Sequence, residues 1–227
     1  MGAPRTLQLS HELPRGRHNL PREVVIRSQR ERLIDAMIET AVATGFGQVT
    51  VADVIREARV SRKTFYEHFA DKEECFLAAY DEIIEHLLRD TTAAYSGPGP
   101  WSGRVAAGMC VILELLSSRP KLARFCVIEI MAAGPRALAR RDEVMRVFAQ
   151  LVEPGRDESP LGNDVPARTA TAVVGAAYSI VYDEILHGRG TELTALGPDL
   201  VYVVLAPYVG RRAAAREAAR VAPAAST

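Results

Sequence analysis

The chain holds only three cysteines in 227 residues, Cys75, Cys110 and Cys126. An odd number with no paired spacing excludes a disulfide framework and suits a reducing compartment, each thiol acting as a small buried hydrophobe. Net charge is also missing, since 28 Lys+Arg balance 28 Asp+Glu. Long apolar runs are absent too: the greasiest segment, "TAVVGAAYSIVY", is shorter than the ~20 residues a membrane-spanning helix needs, and no apolar stretch of the secretory kind follows the N-terminal charges. Neither signal peptide nor membrane span is expected, and the chain is read as cytoplasmic. There is no nucleophile–base pair, metal-ligand spacing or phosphate-cradling glycine loop. His11, His18, His68, His86 and His187 stand singly. No cofactor or metal is expected, and a helical enzyme is the weakest functional reading.

What is there is helix. Nearly half of the residues, 48%, are apolar, enough for a real core. They recur at threes and fours almost everywhere, with no sustained strand-like alternation, so the fold class is all-α. Residues 1–23, with Pro4, Pro14, Gly16 and Pro21 among charges, read as a flexible basic arm. A first helix is expected from about Ile26 to Thr44, ended by Gly45. Thr50 with Asp53 forms an acidic capping-box spacing for a second, and Ser61 caps a third that carries Arg62 to His68. Asp71 and Glu74 open a long helix with Phe76, Tyr80, Ile83, Ile84 and Leu87 inward. "SGPGP" at 96–100 is the clearest break. Beyond it come helices through Val105–Leu116, from Pro120, and from Pro135 to near Val152. A strong helix then runs from Pro166 to Leu186, and a last one starts near Pro198 with a kink expected at Pro207. The implied domains are 24–72, 73–220 and a tail at 221–227.

Charge is not spread evenly. Residues 1–72 carry 12 Lys+Arg against 9 Asp+Glu, an excess of 3, and the remainder 16 against 19. A phosphate feels the field within about 10 Å, so this local excess counts for more than the neutral sum. It coincides with two short helices joined by a three-residue turn, the layout of a helix-turn-helix. In that geometry Arg62, Lys63 and Thr64 face base edges while Phe65 anchors the helix from behind. Tyr66, with His68 further along, points toward phosphate. Thr50 and Lys72 stand at helix starts, where N–H groups and the dipole favour anions.

The wording of residues 44–80, "TGFGQVTVADVIREARVSRKTFYEHFADKEECFLAAY", closely resembles the N-terminal domain of TetR-type transcriptional regulators: Gly45-Phe46, the "VTV" entry, "VS..TFY.HF" and "DKEE" all match in order. One departure is Arg59, where the family commonly has Gly. A non-Gly residue in a left-handed turn costs on the order of 1 kcal/mol, so either the turn avoids that conformation or a phosphate contact offsets the strain. The resemblance implies about nine helices, the first three binding a DNA operator, a C-terminal domain holding a ligand, and a homodimer through the helices near 166–187 and 198–220. It further implies a near-palindromic operator with half-sites one or more helical turns apart, and repression as the commoner behaviour.

Two further readings come from the residues. "PRGRH" at 14–18 sets Arg15 and Arg17 around Gly16, similar to the core of AT-hook peptides that lie in the minor groove. Met109, Leu113, Phe125, Met131, Phe148, Tyr178 and Tyr182 fall on inward faces and form a candidate pocket for a small hydrophobic effector. A helical adaptor using its basic face on an acidic protein partner remains the alternative.

Overall fold

The computed structural model describes residues 21–161 and 164–222, and among them every regular element is helical. The chain divides into two compact units between Ala79 and Tyr80.

The first unit holds α1 (Arg22–Thr44), a 3₁₀ turn (Phe46–Gln48), α2 (Val51–Ala58), α3 (Arg62–His68) and the first turns of α4 (Lys72–Tyr95). Helix α1 starts earlier than the apolar pattern predicts. The Pro21 carbonyl accepts from Val24 N–H at 2.9 Å, and Glu23 in the first turn complements the dipole. Neither signal is an apolar repeat, so the periodicity misses this turn. Gly45, at φ 82°, ends the helix and donates to the Ala41 carbonyl at 2.9 Å.

The core of this unit is built from Leu33, Met37 and Ala41 of α1, Val54 and Ala58 of α2, and Phe65 with Phe69, all buried. Phe46 stands edge-on to Phe76 at 4.7 Å between centroids. Cys75 donates to the Leu33 carbonyl at 3.7 Å, and burial pushes its thiol up to about 12. Because Cys75, Phe76 and Ala79 are all in this core, the boundary falls inside α4 rather than at residue 72.

The second unit contains the remainder of α4, then α5 (Trp101–Ser118), α6 (Pro120–Val127), α7 (Pro135–Val152), the single turn α8 (Gly155–Glu158), α9 (Thr169–Leu186), a 3₁₀ segment (Gly190–Leu196), α10 (Gly197–Val209) and α11 (Arg211–Arg220). Trp101 packs on Tyr208 at 5.0 Å. A side chain at Gly155 would collide with the indole, so only glycine lets α8 lie against it.

The expected last helix is two. Pro207 stays within α10, and the break comes at Gly210, φ 77°. With α10 and α11 counted as one interrupted helix and the single turn α8 set aside, the described helices match the nine expected. The stretch Gly190–Val209 is long and apolar enough to cross a membrane, but Leu193, Leu200, Val201, Val204, Leu205 and Tyr208 are all inside the core.

Candidate nucleic-acid interface and effector cavity

The reading unit is assembled by local hydrogen bonds. Asp53 N–H donates to Thr50 Oγ1 at 3.2 Å and Thr50 N–H to Asp53 Oδ2 at 3.1 Å, closing the capping box at the start of α2. The Thr50 side-chain and backbone bonds and the Arg56 guanidinium, 2.6 Å away, hold the Asp53 carboxyl below the usual carboxylate range. Helix α2 ends in Arg59, at φ 53° and ψ 46°, so the turn does adopt the left-handed conformation. Val60 N–H reaches the Ile55 carbonyl at 3.1 Å and Arg59 N–H the Arg56 carbonyl at 3.3 Å, the paired bonds of a Schellman ending. Arg32 of α1 donates to the Ala58 carbonyl at 3.2 Å and ties this end down.

Helix α3 starts where Ser61 Oγ accepts the Thr64 N–H at 3.0 Å. Its two faces are sharply different. Phe65 is fully buried and meets Phe69 at 5.9 Å. Arg62, Lys63, Tyr66 and Glu67 are exposed, an i, i+4 double row on the opposite side. Lys63, with 87% of its side chain exposed, lies 3.8 Å from Glu67. Tyr66 is 52% exposed with its ring edge-on to Phe65.

The other predicted contacts are placed less uniformly. Thr50 is exposed at the tip of α2. Thr64 is half-buried, its Oγ1 2.9 Å from Ser61 Oγ and engaged in the cap. His68 is half-buried, and burial followed by the neighbouring Arg30 charge lowers its pKa, which favours the neutral imidazole. Lys72 is turned inward: its ammonium donates to the Val49 carbonyl at 2.7 Å and lies 4.7 Å over the Phe46 ring. Its backbone stays at the start of α4, but its ammonium secures the loop that precedes α2. Arg15 and Arg17 lie outside the described residues. Among the described residues no group of three His, Cys, Asp or Glu gathers as a metal site.

The second unit contains a partly open cavity of about 140 Å³. Of the residues predicted to line an effector site, Met109, Leu113, Phe148 and Tyr178 do so. Phe125 is fully buried elsewhere in the core, Tyr182 is half-buried off the cavity, and Met131 is 44% exposed. Met131 misses because its segment, Glu129–Ala132, is a 3₁₀ turn whose phase differs from that of the α-helix assumed.

The sequence reading passed over the cavity's polar wall, formed by Thr91, Tyr95 and Arg141. Arg141 sits in the charge run "ARRDE", which looks like a solvated face. Yet it shares the stripe of Ala137, Val144 and Phe148 along α7, and that spacing is the signal that places it inward. The Tyr178 hydroxyl donates to the Val127 carbonyl at 2.9 Å, and the Arg141 guanidinium lies 4.2 Å over the Tyr178 ring.

Residues 33–79 match the family model of bacterial regulatory proteins of the tetR family. The HTH-type transcriptional regulator TcmR of Streptomyces glaucescens is 26% identical over 182 residues, 77% of this chain and 80% of that protein. Among solved structures, the fatty acid degradation regulator FadR from Bacillus halodurans superposes with a TM-score of 0.70 at 17% identity, covering 78% of this chain and 94% of that one. FadR from Bacillus subtilis in complex with stearoyl-CoA follows at 0.68 and 15%, over 78% and 97%. At these identities the structural likeness concerns the fold alone.

Proposed function

We propose, from the premise that the chain belongs to the tetR family of bacterial regulatory proteins, that it is a homodimeric repressor released from a near-palindromic operator by a small effector. It is a DNA-binding transcriptional regulator and not an enzyme. The observation that carries the reading is the division of α3: Phe65 locked in the core and Arg62, Lys63 and Tyr66 exposed on the far side. Cations at the start of a helix anchored from behind suit a major groove, Arg and Lys toward base acceptors and Tyr66 with Thr50 toward phosphates.

Dimerisation is supported by the outward face of α9. Thr171, Ala172, Gly175, Ala176 and Ser179 are all exposed there, small side chains that let a partner helix approach closely. Effector release is supported by the cavity in the second unit.

Selection of bound duplexes from a random pool tests both parts. Recovered sites should contain two-fold-related half-sites, and recovery of a single unpaired half-site would sink the dimer. On the recovered site, Arg62→Ala and Lys63→Ala should each lose about 1–3 kcal/mol of discrimination at particular bases. Wild-type sequence preference in both variants would show that α3 does not read bases.

A further inference from the structure

We propose that the occupant of the cavity is a small organic acid, an apolar body whose carboxylate is received by Arg141. This rests on reading the cavity as the effector site. Its walls are apolar side chains from α4, α5, α6, α7, α9 and α10, together with Thr91, Tyr95, Tyr80 and Tyr178, and among the described residues they include no Asp or Glu. Among the described residues Arg141 is the one charged residue of this lining. Its outer nitrogen Nη1 donates to Asp142 at 2.8 Å, on a side chain that is 64% exposed. Its Nε is buried and has no hydrogen-bond partner.

A cation held by Tyr178 and Asp142 with one buried donor unmatched, in a lining without a carboxylate of its own, favours a ligand that brings one. Asp142 does not fill this role: it holds the opposite edge of the guanidinium at the surface, where water screens it. The Tyr178 ring beneath the guanidinium fixes its plane, so a carboxylate would meet an oriented donor at little cost in side-chain entropy.

A second observation is independent of Arg141. Thr91, a residue of the same lining, is 2% exposed, and its Oγ1 has no hydrogen-bond partner. A buried polar atom without a partner calls for an explanation, and a bound group that completes its hydrogen bond is one. The size of the space limits the occupant. About 140 Å³ compares with the roughly 150 Å³ engineered cavity that admits benzene, and the space is partly open to solvent, so a single aliphatic chain suits it better than a fused polycycle.

The test compares octanoate with 1-octanol, matched in chain and differing in charge, by titration calorimetry on the full-length protein at pH 7. Octanoate should bind wild type about tenfold or more tightly than the alcohol. In Arg141→Met the order should invert, because a carboxylate without a cation loses its hydration uncompensated, while the alcohol's Kd moves by no more than about twofold. A wild-type ratio near one overturns the proposal, as does an acid preference that survives in a folded Arg141→Met or Arg141→Gln. The wild-type ratio decides even where a variant does not fold. Alcohol binding without acid preference sinks this inference alone, whereas no binding of either compound sinks the effector cavity itself.

Discussion

Arg59 is held at φ 53°, alone among the described non-glycine residues in having a positive φ. The two backbone bonds of the Schellman ending and the Arg32 bond to Ala58 over-determine the turn, so the strain persists. Replacing Arg59 by Gly should stabilise the protein by about 0.5–1 kcal/mol, the left-handed penalty of about 1–2 less the greater freedom of glycine in the unfolded chain. Urea midpoints measure this, and an unchanged or lower midpoint means that the turn holds Arg59 without strain. Operator titration of the same variant asks the other question: a phosphate contact would show as weaker binding and a salt slope shallower by about one. At this level the sequence is readable where partners are close. Thr50 with Asp53 and Ser61 with Thr64 each close over three positions. Lys72 was not readable, because the carbonyls it holds are 23 and 26 positions away. Arg141 was half readable: its stripe gives the direction, but nothing local says that a guanidinium there would face an apolar space.

The short helix α2 depends on its cap more than a long helix would, since eight residues cannot sustain themselves in isolation. Thr50→Ala should therefore cost ~1 kcal/mol. The carboxylate half of the cap has a pH signature with a defined sign. Asp53 has a pKa lowered on folding from the ordinary 3.8. The unfolded chain then binds its proton first as pH falls, so the contribution is complete above that value and is lost progressively on descent through the lowered folded value. Acid titration of helicity should show Asp53→Asn less sensitive than wild type below about pH 4, and identical acid limbs would mean that the carboxylate adds nothing to the cap. Helix ends marked by Gly45, the "SGPGP" break, Pro120 and Gly134-Pro135 were readable, because each breaker acts on its own backbone. The α10–α11 break was misplaced for a physical reason. Pro207 removes one helical hydrogen bond, but Val204, Leu205 and Tyr208 around it are buried and carry the helix through. Gly210, three residues on, turns the chain by its positive φ.

The exposed face of α3 lies in the first unit and the cavity in the second, and α4 is the helix that begins in one and continues in the other. Helix α4 lines the cavity with Tyr80, Ile84, Leu87, Thr91 and Tyr95, a stripe that at 1.5 Å per residue runs about 22 Å. Its tie to α7 is specific: Arg140 Nε donates to Asp81 Oδ1 at 2.6 Å, and its Nη1 to Glu143 at 2.8 Å. Arg140 is the immediate neighbour of Arg141, so a carboxylate bound at Arg141 adds its charge one residue from the pair that holds α4 to α7. Both partners of the Arg140–Asp81 pair are substantially exposed, 40% and 48%, and such pairs contribute only about 0–1 kcal/mol to stability. Coupling between sites is itself only about 1–3 kcal/mol, so a contact nearly silent in folding need not be silent in signalling. Asp81→Asn should leave the thermal midpoint, the effector's Kd and the unliganded operator Kd within about twofold or 2 °C of wild type. The factor by which saturating acid weakens operator binding should fall about fivefold, a loss of roughly 1 kcal/mol of coupling. Fluorescence anisotropy on labelled operator, with and without the acid, reads that factor directly. If Asp81→Asn keeps the full factor, the effector's signal enters α4 through the stripe in the cavity rather than through Arg140.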